Sequence, residues 1–394
     1  MHKFRKFEDV FKISTVALHF NGSHPQAARN RFRMFRIVYE HIITLLCFIS
    51  LLYSIILYDV NNKEYTEVIK NGVMAIVCVT VTFKFTILLS NRDDIQSLID
   101  TMNRDYELSE DLSEEEQHIV AEHADMGVDV CKIWLAASIV TGLLFPVKAF
   151  VLMAYKYING EWELVPMFDL NWPFINGIKK NPIIFTCIFA QCLSFDFFSA
   201  SMYLGFDPLG PIFLVHACGQ LDLLSNRLMK LFSEGTAVDA KQNLKLIHLK
   251  LLEIYRFVKK IQDIFVVLYE FNMKTTTFLI PFSTFQFVES LRKKDISLEF
   301  ASFAISAVFH FYMPCFYGNK LMDMSEKLRQ SIYACGWEMQ RDIEIRKTYI
   351  LFMLTRTTAP LGIKSIFYSI CLDTFGEMAS QAYGIYNLMN AAWG

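Results

Sequence analysis

The feature that most constrains this chain is a set of seven apolar runs, each long enough to cross a bilayer and nearly free of charge. They lie near 37–58, 68–90, 128–155, 183–206, 265–289, 297–318 and 362–389. A spanning helix needs about 20 consecutive, mostly apolar residues. Inside a bilayer no water satisfies the backbone N–H and C=O groups, so each run is forced into a helix. Composition agrees: of 394 residues, 53% are hydrophobic and 20% are charged, where soluble domains carry about 25% charge. The reading is an all-α membrane protein, a single domain over 1–394 with seven transmembrane helices.

Lysine and arginine in the connecting segments set the orientation. The N-terminal 36 residues and the segments 91–127, 227–262 and 319–348 together hold 24 of them. The segments 59–71, 156–181 and 290–296, on the other side, hold 8. The N-terminus is therefore expected in the cytoplasm and, after seven crossings, the C-terminus outside. The start, MHKFRKFEDVFK, is basic but lacks the apolar core of a secretory signal, so the first run reads as a retained signal-anchor. Asn21-Gly22-Ser23 matches a glycosylation sequon on the cytoplasmic side and is expected to stay unmodified.

Beyond the spans, helical extensions near 207–262 and 319–360 are expected to project into the cytoplasm as an anchor bundle. After Gly205-Phe206-Asp207-Pro208-Leu209-Gly210-Pro211 the apolar stretch IFLVHACGQLDLL acquires polar residues too early to cross again. It reads as a kinked extension of helix four. A heptad seam follows: Leu244, Ile247, Leu251, Ile254, Val258, Ile261, Phe265 and Leu268 recur at alternating spacings of three and four. Such a seam wants partner helices, either the end of helix four or a neighbouring subunit. The acid-rich segment 91–127 reads as a solvated, partly helical loop. Lys84 is expected to snorkel towards the cytoplasmic interface.

Several function classes are disfavoured. A net charge of −2 and the lack of any nucleic-acid motif exclude a nucleic-acid partner. Nine cysteines show no metal-ligand or CxxC spacing and lie mostly in apolar segments, where cysteine behaves as a small hydrophobe. No nucleophile–base pair or phosphate loop is visible, so neither an enzyme nor a cofactor is expected. A G-protein-coupled receptor would have its N-terminus outside and a disulfide into its second outer loop, yet 156–181 holds no cysteine. A secondary transporter usually shows internal repeats; none is seen, although 205–211 is a candidate helix break.

The last 80 residues carry a resemblance. FYGNKLMDMSEKLRQSIYACGWEMQ, with Gly318, Ser325, Tyr333 and Trp337, resembles the end of the sixth helix in the insect odorant receptor family. RKTYILFMLTRTTAP, ending in Pro360, resembles the inner half of that family's helix seven; Phe375 and AYGIY at 382–386 resemble its final helix. Upstream, FKFTILLSNRDDIQSLIDTM and QLDLLSNRL are similar to the ends of helices two and four. The related gustatory receptors carry Gln and Phe where this chain has Asn390 and Ala391, so the odorant branch fits better. The chain also lacks the co-receptor's long insertion in the second cytoplasmic loop.

The resemblance implies a tuning subunit of an odorant-gated, non-selective cation channel in the plasma membrane of olfactory neurons. It implies a heterotetramer with a shared co-receptor, a pore built from the seventh helices, and a small volatile ligand in the outer half, between helices two, three, four and six. An apolar, aromatic pocket is then sought at Val73 and Val77, Phe145 and Phe150, Phe185, Ile188, Phe189 and Cys192, and Phe303, Ser306 and His310. Ser306 and His310 are the expected polar contacts; Asp196 is either structural, paired with Gln191 or a hydroxyl, or functional. Gly376, Ser380, Tyr383, Gly384 and Asn387 share one side of helix seven. That side either packs another helix or lines the pore.

The charge asymmetry makes a direct prediction. A tag placed after Gly394 is expected to be labelled on intact cells, and one before Met1 only after permeabilisation. The reverse pattern would invert the topology.

Overall fold

The computed structural model describes residues 6–27, 30–168, 170–172, 181–232, 237–293 and 297–393. Parts of the 156–181 and 290–296 loops, and the first five residues of the basic N-terminus, lie outside the described residues. Among the described residues the regular elements are all helices, and there is one isolated antiparallel bridge between Lys364 and Ser369. Two short N-terminal helices, α1 (Phe7–Val10) and α2 (Lys12–Phe20), precede α3 (Arg31–Ser54), which ends in a wider turn at Ile55–Asp59. Then come α4 (Tyr65–Ser90), α5 (Arg92–Ser109), α6 (Glu114–Ile158), α7 (Pro182–Phe206) and α8 (Leu209–Lys230). The chain closes with α9 (Ala237–Arg292), α10 (Leu298–Ala334), the short α11 (Leu351–Arg356) and α12 (Leu372–Trp393).

Local sequence explains where these helices start. Asn30 caps α3 by accepting from Arg33 N at 2.7 Å, and Asn181 caps α7 through Ile183 N and Ile184 N. Ser113 and Glu116 form a reciprocal capping box at the head of α6. Pro208 stands between α7 and α8, where its missing N–H costs no helical bond.

Five helical stretches are long and apolar enough to cross a membrane on composition alone: Arg31–Asp59, Tyr65–Ser90, Glu114–Ile158, Pro182–Lys230 and Leu298–Met339. The two remaining spans, the second half of α9 and α12, are more polar. Thr275, Thr276 and Thr277 lie in α9, and Gly376, Ser380 and Asn387 in α12. A spanning helix of that composition has protein or water beside part of its surface. At 22 residues and about 1.5 Å per residue, α12 is still about 33 Å long, enough to cross.

Below the spans the core is built around α8. Every residue from Pro208 to Leu221 is buried, as expected of a helix that is apolar on all sides. It is wrapped by α6, α9 and α10. The apolar stretch after Pro211 is therefore a core helix and not a second crossing. All eight seam residues from Leu244 to Leu268 are buried, and α9 packs against α8, α10, α4 and α5 of the same chain.

The structure differs from expectation at three places outside the site. The segment 91–127 is not a solvated loop but α5 and the start of α6, and it buries Ile95, Leu98, Ile99, Met102 and Tyr106 at helical spacing. Even Asp105 is buried there, 3.0 Å from His216 Nε2 and 2.5 Å from Lys250 Nζ. Burial works to raise the Asp105 pKa, but the hydrogen bonds and charges of His216 and Lys250 more than offset it and hold the carboxyl below its ordinary value.

The extension at 319–360 is not continuous either. The chain leaves α10 through Gly336, which takes the left-handed conformation (φ 86°) that favours glycine, makes one tight turn at Trp337–Met339 and re-enters longer helical structure at 343. Finally, the last span begins at Leu372 and not near 362. Pro360 cannot donate to a continuing helix, and the chain runs irregularly to 371. Gln262 bonds both Lys364 N (2.6 Å) and Lys364 O (2.7 Å), and Ile370 N donates to Ile363 O (3.0 Å).

The N-terminal helices are also part of this core. Phe7 and Phe11 are buried, and Ser14 Oγ donates to Gly205 O at 2.6 Å. Asn21 is 2% exposed and donates to Ser201 O, so its sequon is enclosed by protein.

Two glycines test this packing. A Cβ on Gly318 would lie 2.2 Å from the Ile370 carbonyl oxygen, whereas one on Gly72 meets nothing within 4 Å. Gly318→Ala should lower stability by about 1–3 kcal/mol through overpacking. Gly72→Ala should be neutral or gain up to about 1 kcal/mol from helix propensity. Thermal unfolding of the detergent-solubilised protein separates the two; equal shifts would contradict the α10 contact.

Candidate ligand cavity

Five helices line a cavity of about 70 Å³. A water occupies roughly 10–15 Å³ on such a scale, so the space takes a few waters or one small organic molecule. Helix α4 contributes Met74 and Val77; α6 contributes Trp134, Ala137, Ser138, Thr141 and Gly142. From α7 come Phe195, Asp196, Ser199, Ala200 and Tyr203, from α9 Leu279, and from α10 Phe303, Ser306, Ala307 and His310. On α4, α6, α7 and α10 the contributors recur at three- and four-residue steps, so one face of each points inward. The wall is mainly apolar and aromatic with a few polar groups, the usual makeup of a small-molecule site.

Of the residues named from sequence, Val77, Phe303, Ser306 and His310 line this cavity. Val73 packs beside it with Leu279, Phe300 and Ala307. Phe145 lies next to Phe303, ring centroids 5.6 Å apart, and borders a smaller recess of about 50 Å³. Phe150 is 56% exposed and forms an edge contact with Phe189, which in turn neighbours Phe185. Ile188 and Cys192 are buried in the core without reaching the cavity. The cavity thus lies deeper than the aromatic outer halves suggest. The sequence signal for it was the polar and small residues inside apolar runs: Ser138, Thr141 and Gly142 on α6, Asp196 and Ser199 on α7. Asp196 does not pair with Gln191, whose amide points to Cys47 Sγ at 3.8 Å.

A buried charge cluster adjoins the cavity. Lys84 is fully buried, and its Nζ lies 2.7 Å from Asp207 Oδ1. The same ammonium is 2.8 Å from His310 Nε2 and 3.8 Å from the centre of the Tyr203 ring. His310 Nε2 is also 3.4 Å from Asp207 Oδ2. An ammonium only donates, so the short Lys84–His310 contact requires a ring nitrogen that accepts. Lys84 therefore does not snorkel: Asp207, at the junction of α7 and α8, neutralises it inside the protein. His310 belongs to both the cavity wall and this cluster, so its Nε2 is already engaged.

On α12, Gly376, Ser380, Tyr383, Gly384 and Asn387 are all exposed, while Met378, Ala382 and Met389 are buried against the bundle. A Cβ on Gly376 or Gly384 would meet no atom within 4 Å. The outer end of α12 is moored by Tyr65 stacked on Trp393 and by Arg292 donating to Asn390 Oδ1 at 2.9 Å.

Seven spanning helices, a small cavity among them and a polar face on the last helix define a polytopic helical membrane protein. Known proteins narrow this class. The family described as 7tm Odorant receptor matches residues 64–383. The chain belongs to the odorant receptor family. It is 26% identical to odorant receptor 13a of Drosophila melanogaster over 228 residues, 53% of this chain and 52% of that one. That alignment spans only about half of the relative's length. Odorant receptor 85b of the same fly aligns over the full length of both chains at 22% identity. Among solved structures, olfactory receptor OR5 from Machilis hrabei in complex with eugenol superposes with a TM-score of 0.78, covering 98% of each chain at 12% identity. The same receptor without that ligand gives 0.77 over 97% of each. These establish the seven-helix fold.

The charge cluster is testable. Removing one partner of a buried ion pair costs about 3–5 kcal/mol, because the other charge is left without compensation. Lys84→Met should therefore abolish or sharply reduce the folded, surface-delivered receptor. Lys84→Met combined with Asp207→Asn should recover much of it. A single variant as stable as the parent protein would show that the pair carries no such weight.

Proposed function

We propose that this chain is the odorant-binding, tuning subunit of an odorant-gated, non-selective cation channel, assembled as a heterotetramer with a shared co-receptor in the plasma membrane. One observation carries the channel half of this reading: the outward face of α12. A spanning helix that shows Gly376, Ser380, Gly384 and Asn387 to its surroundings has no reason to face lipid, where polar groups find no partner. Small residues allow close approach of neighbouring helices, and a stripe of them beside water leaves room for ions. Four subunits arranged around such faces give a polar path, with the positive-inside segments, including the α8–α9 bundle, in the cytoplasm.

The receptor half rests on the cavity. Its apolar and aromatic walls suit a small volatile molecule, and the similar receptor complexed with eugenol is consistent with a small organic ligand. Val77, Phe303 and Ser306 are proposed to touch the ligand, with Met74, Trp134, Phe195 and Tyr203 completing the wall. Phe145, Val73 and Ile188 would support that wall from behind. Cys192, buried one turn from Phe195, would also support the wall. Phe150, Phe185 and Phe189 lie farther out and would act on ligand entry.

Single cysteines test the pore face. Placed at Ser380, Gly384 or Asn387 in a co-expressed heteromer, they are expected to react with a charged thiol reagent and partly block the odorant-evoked current, faster with odorant present. Cysteines at Met378 and Ala382, both buried, should react little. Equal reactivity on both faces, or none at the three polar positions, would remove α12 from the pore.

A further inference from the structure

Three polar side chains on the cavity wall have partners within the chain. Thr141 and Ser306 bond each other, Oγ1 to Oγ at 3.1 Å, and His310 Nε2 accepts from the Lys84 ammonium at 2.8 Å. Asp196 is different: among the described residues no side chain pairs with its carboxyl. Three further groups on the same wall, Ser138 Oγ, Ser199 Oγ and Trp134 Nε1, are buried and have no hydrogen-bond partner among the described residues. Asp196 and Ser199 are one turn apart on α7, facing Ser138 and Gly142, one turn apart on α6. The Asp196 Oδ2 looks onto Gly142, 3.8 Å from where a Cβ would stand. One carboxyl and three unsatisfied polar groups therefore converge on a small space otherwise walled by apolar side chains.

We propose that this cavity selects odorants whose polar head is a hydroxyl, an alcohol or a phenol, and that Asp196 is the residue that sets this preference. The inference rests on the reading of the cavity as the odorant site. A hydroxyl both donates and accepts. It donates to the Asp196 carboxyl and accepts from Ser138 or Ser199, so the bound pair leaves fewer buried groups unsatisfied. Ketones, aldehydes, esters and ethers only accept. They engage a serine or Trp134 but have no hydrogen to donate, so an acceptor oxygen of Asp196 stays without a partner, and a buried polar group without a partner is costly. A site built around such a group rejects analogues lacking the matching hydroxyl far more strongly than a purely apolar pocket rejects a change of shape. An ammonium would also satisfy Asp196, but it must shed a tightly held hydration shell that one carboxyl and two hydroxyls do not replace. It would also enter beside the Lys84 ammonium, whose own carboxylate, Asp207, is already engaged.

The test is a panel matched in skeleton and differing in head group. It comprises 1-hexanol, hexanal, hexyl methyl ether and hexylamine; cyclohexanol and cyclohexanone; and phenol, anisole and benzaldehyde. Each is applied to the parent heteromer and to heteromers carrying Asp196→Leu or Asp196→Asn, with surface delivery measured by an extracellular tag. Hydroxyl compounds should be at least about tenfold more potent than their same-skeleton partners, the worth of one hydrogen bond to a charged or buried group. Asp196→Leu should erase that preference, and Asp196→Asn, which still accepts a hydrogen bond, should keep part of it. If Leu prevents surface delivery, the Asn variant decides alone by a reduced but surviving preference. Equal potency across head groups, an amine more potent than its alcohol, or a preference unchanged in both variants would overturn the proposal. If no compound gates a current although the heteromer is at the surface, the odorant-site reading itself fails. If carbonyls and ethers gate as well as alcohols, only hydroxyl selection fails.

Discussion

The buried contact between Lys84 and Asp207 is the interaction on which the rest of the fold leans. It sits where α7 ends and α8 begins, at Pro208, which has no N–H to donate. An ion pair so far from water is tolerated only with further hydrogen bonds around it, and His310 from α10 and the ring of Tyr203 supply the surroundings. Just before the junction, α2 grips Gly205 through Ser14. Helices from four parts of the sequence thus meet at one turn, and everything below it is organised around the sealed α8.

That same junction forms one boundary of the cavity. Tyr203 and His310 line the space on one side and touch the Lys84 ammonium on the other. A molecule in the cavity therefore rests against side chains whose second contacts hold the membrane part to the anchor part. No long chain of intermediaries separates the two.

Much of the architecture was legible because it is periodic. The apolar runs announced the spans, and the three–four seam from Leu244 to Leu268 announced a buried helix face, whose partners prove to lie in the same chain. What periodicity could not show was where charge is buried. The acids between 91 and 127 masked the apolar face of α5, because Ile95, Leu98, Ile99 and Met102 are interleaved with them. Lys84 looked like a residue reaching for water because its partner is 123 positions away. The cavity was legible only in part: aromatic outer halves drew attention, while its floor is set by Ser138, Thr141 and Asp196, which read as minor interruptions of apolar runs. The start of α12 was misplaced because apolar composition continues through 362–371 although hydrogen bonding there does not follow a helix.

Helix α9 runs without a break for 56 residues, about 84 Å at the usual rise. It is seated among the anchor helices at one end and beside α4 and α12 at the other. Mechanically it is a lever. A tilt of about one degree at the anchor moves the far tip by roughly 1.5 Å, given that length. Displacements too small to disturb side-chain packing around α8 are therefore large enough, at the outer end, to shift the contacts that α9 makes with α4 and α12.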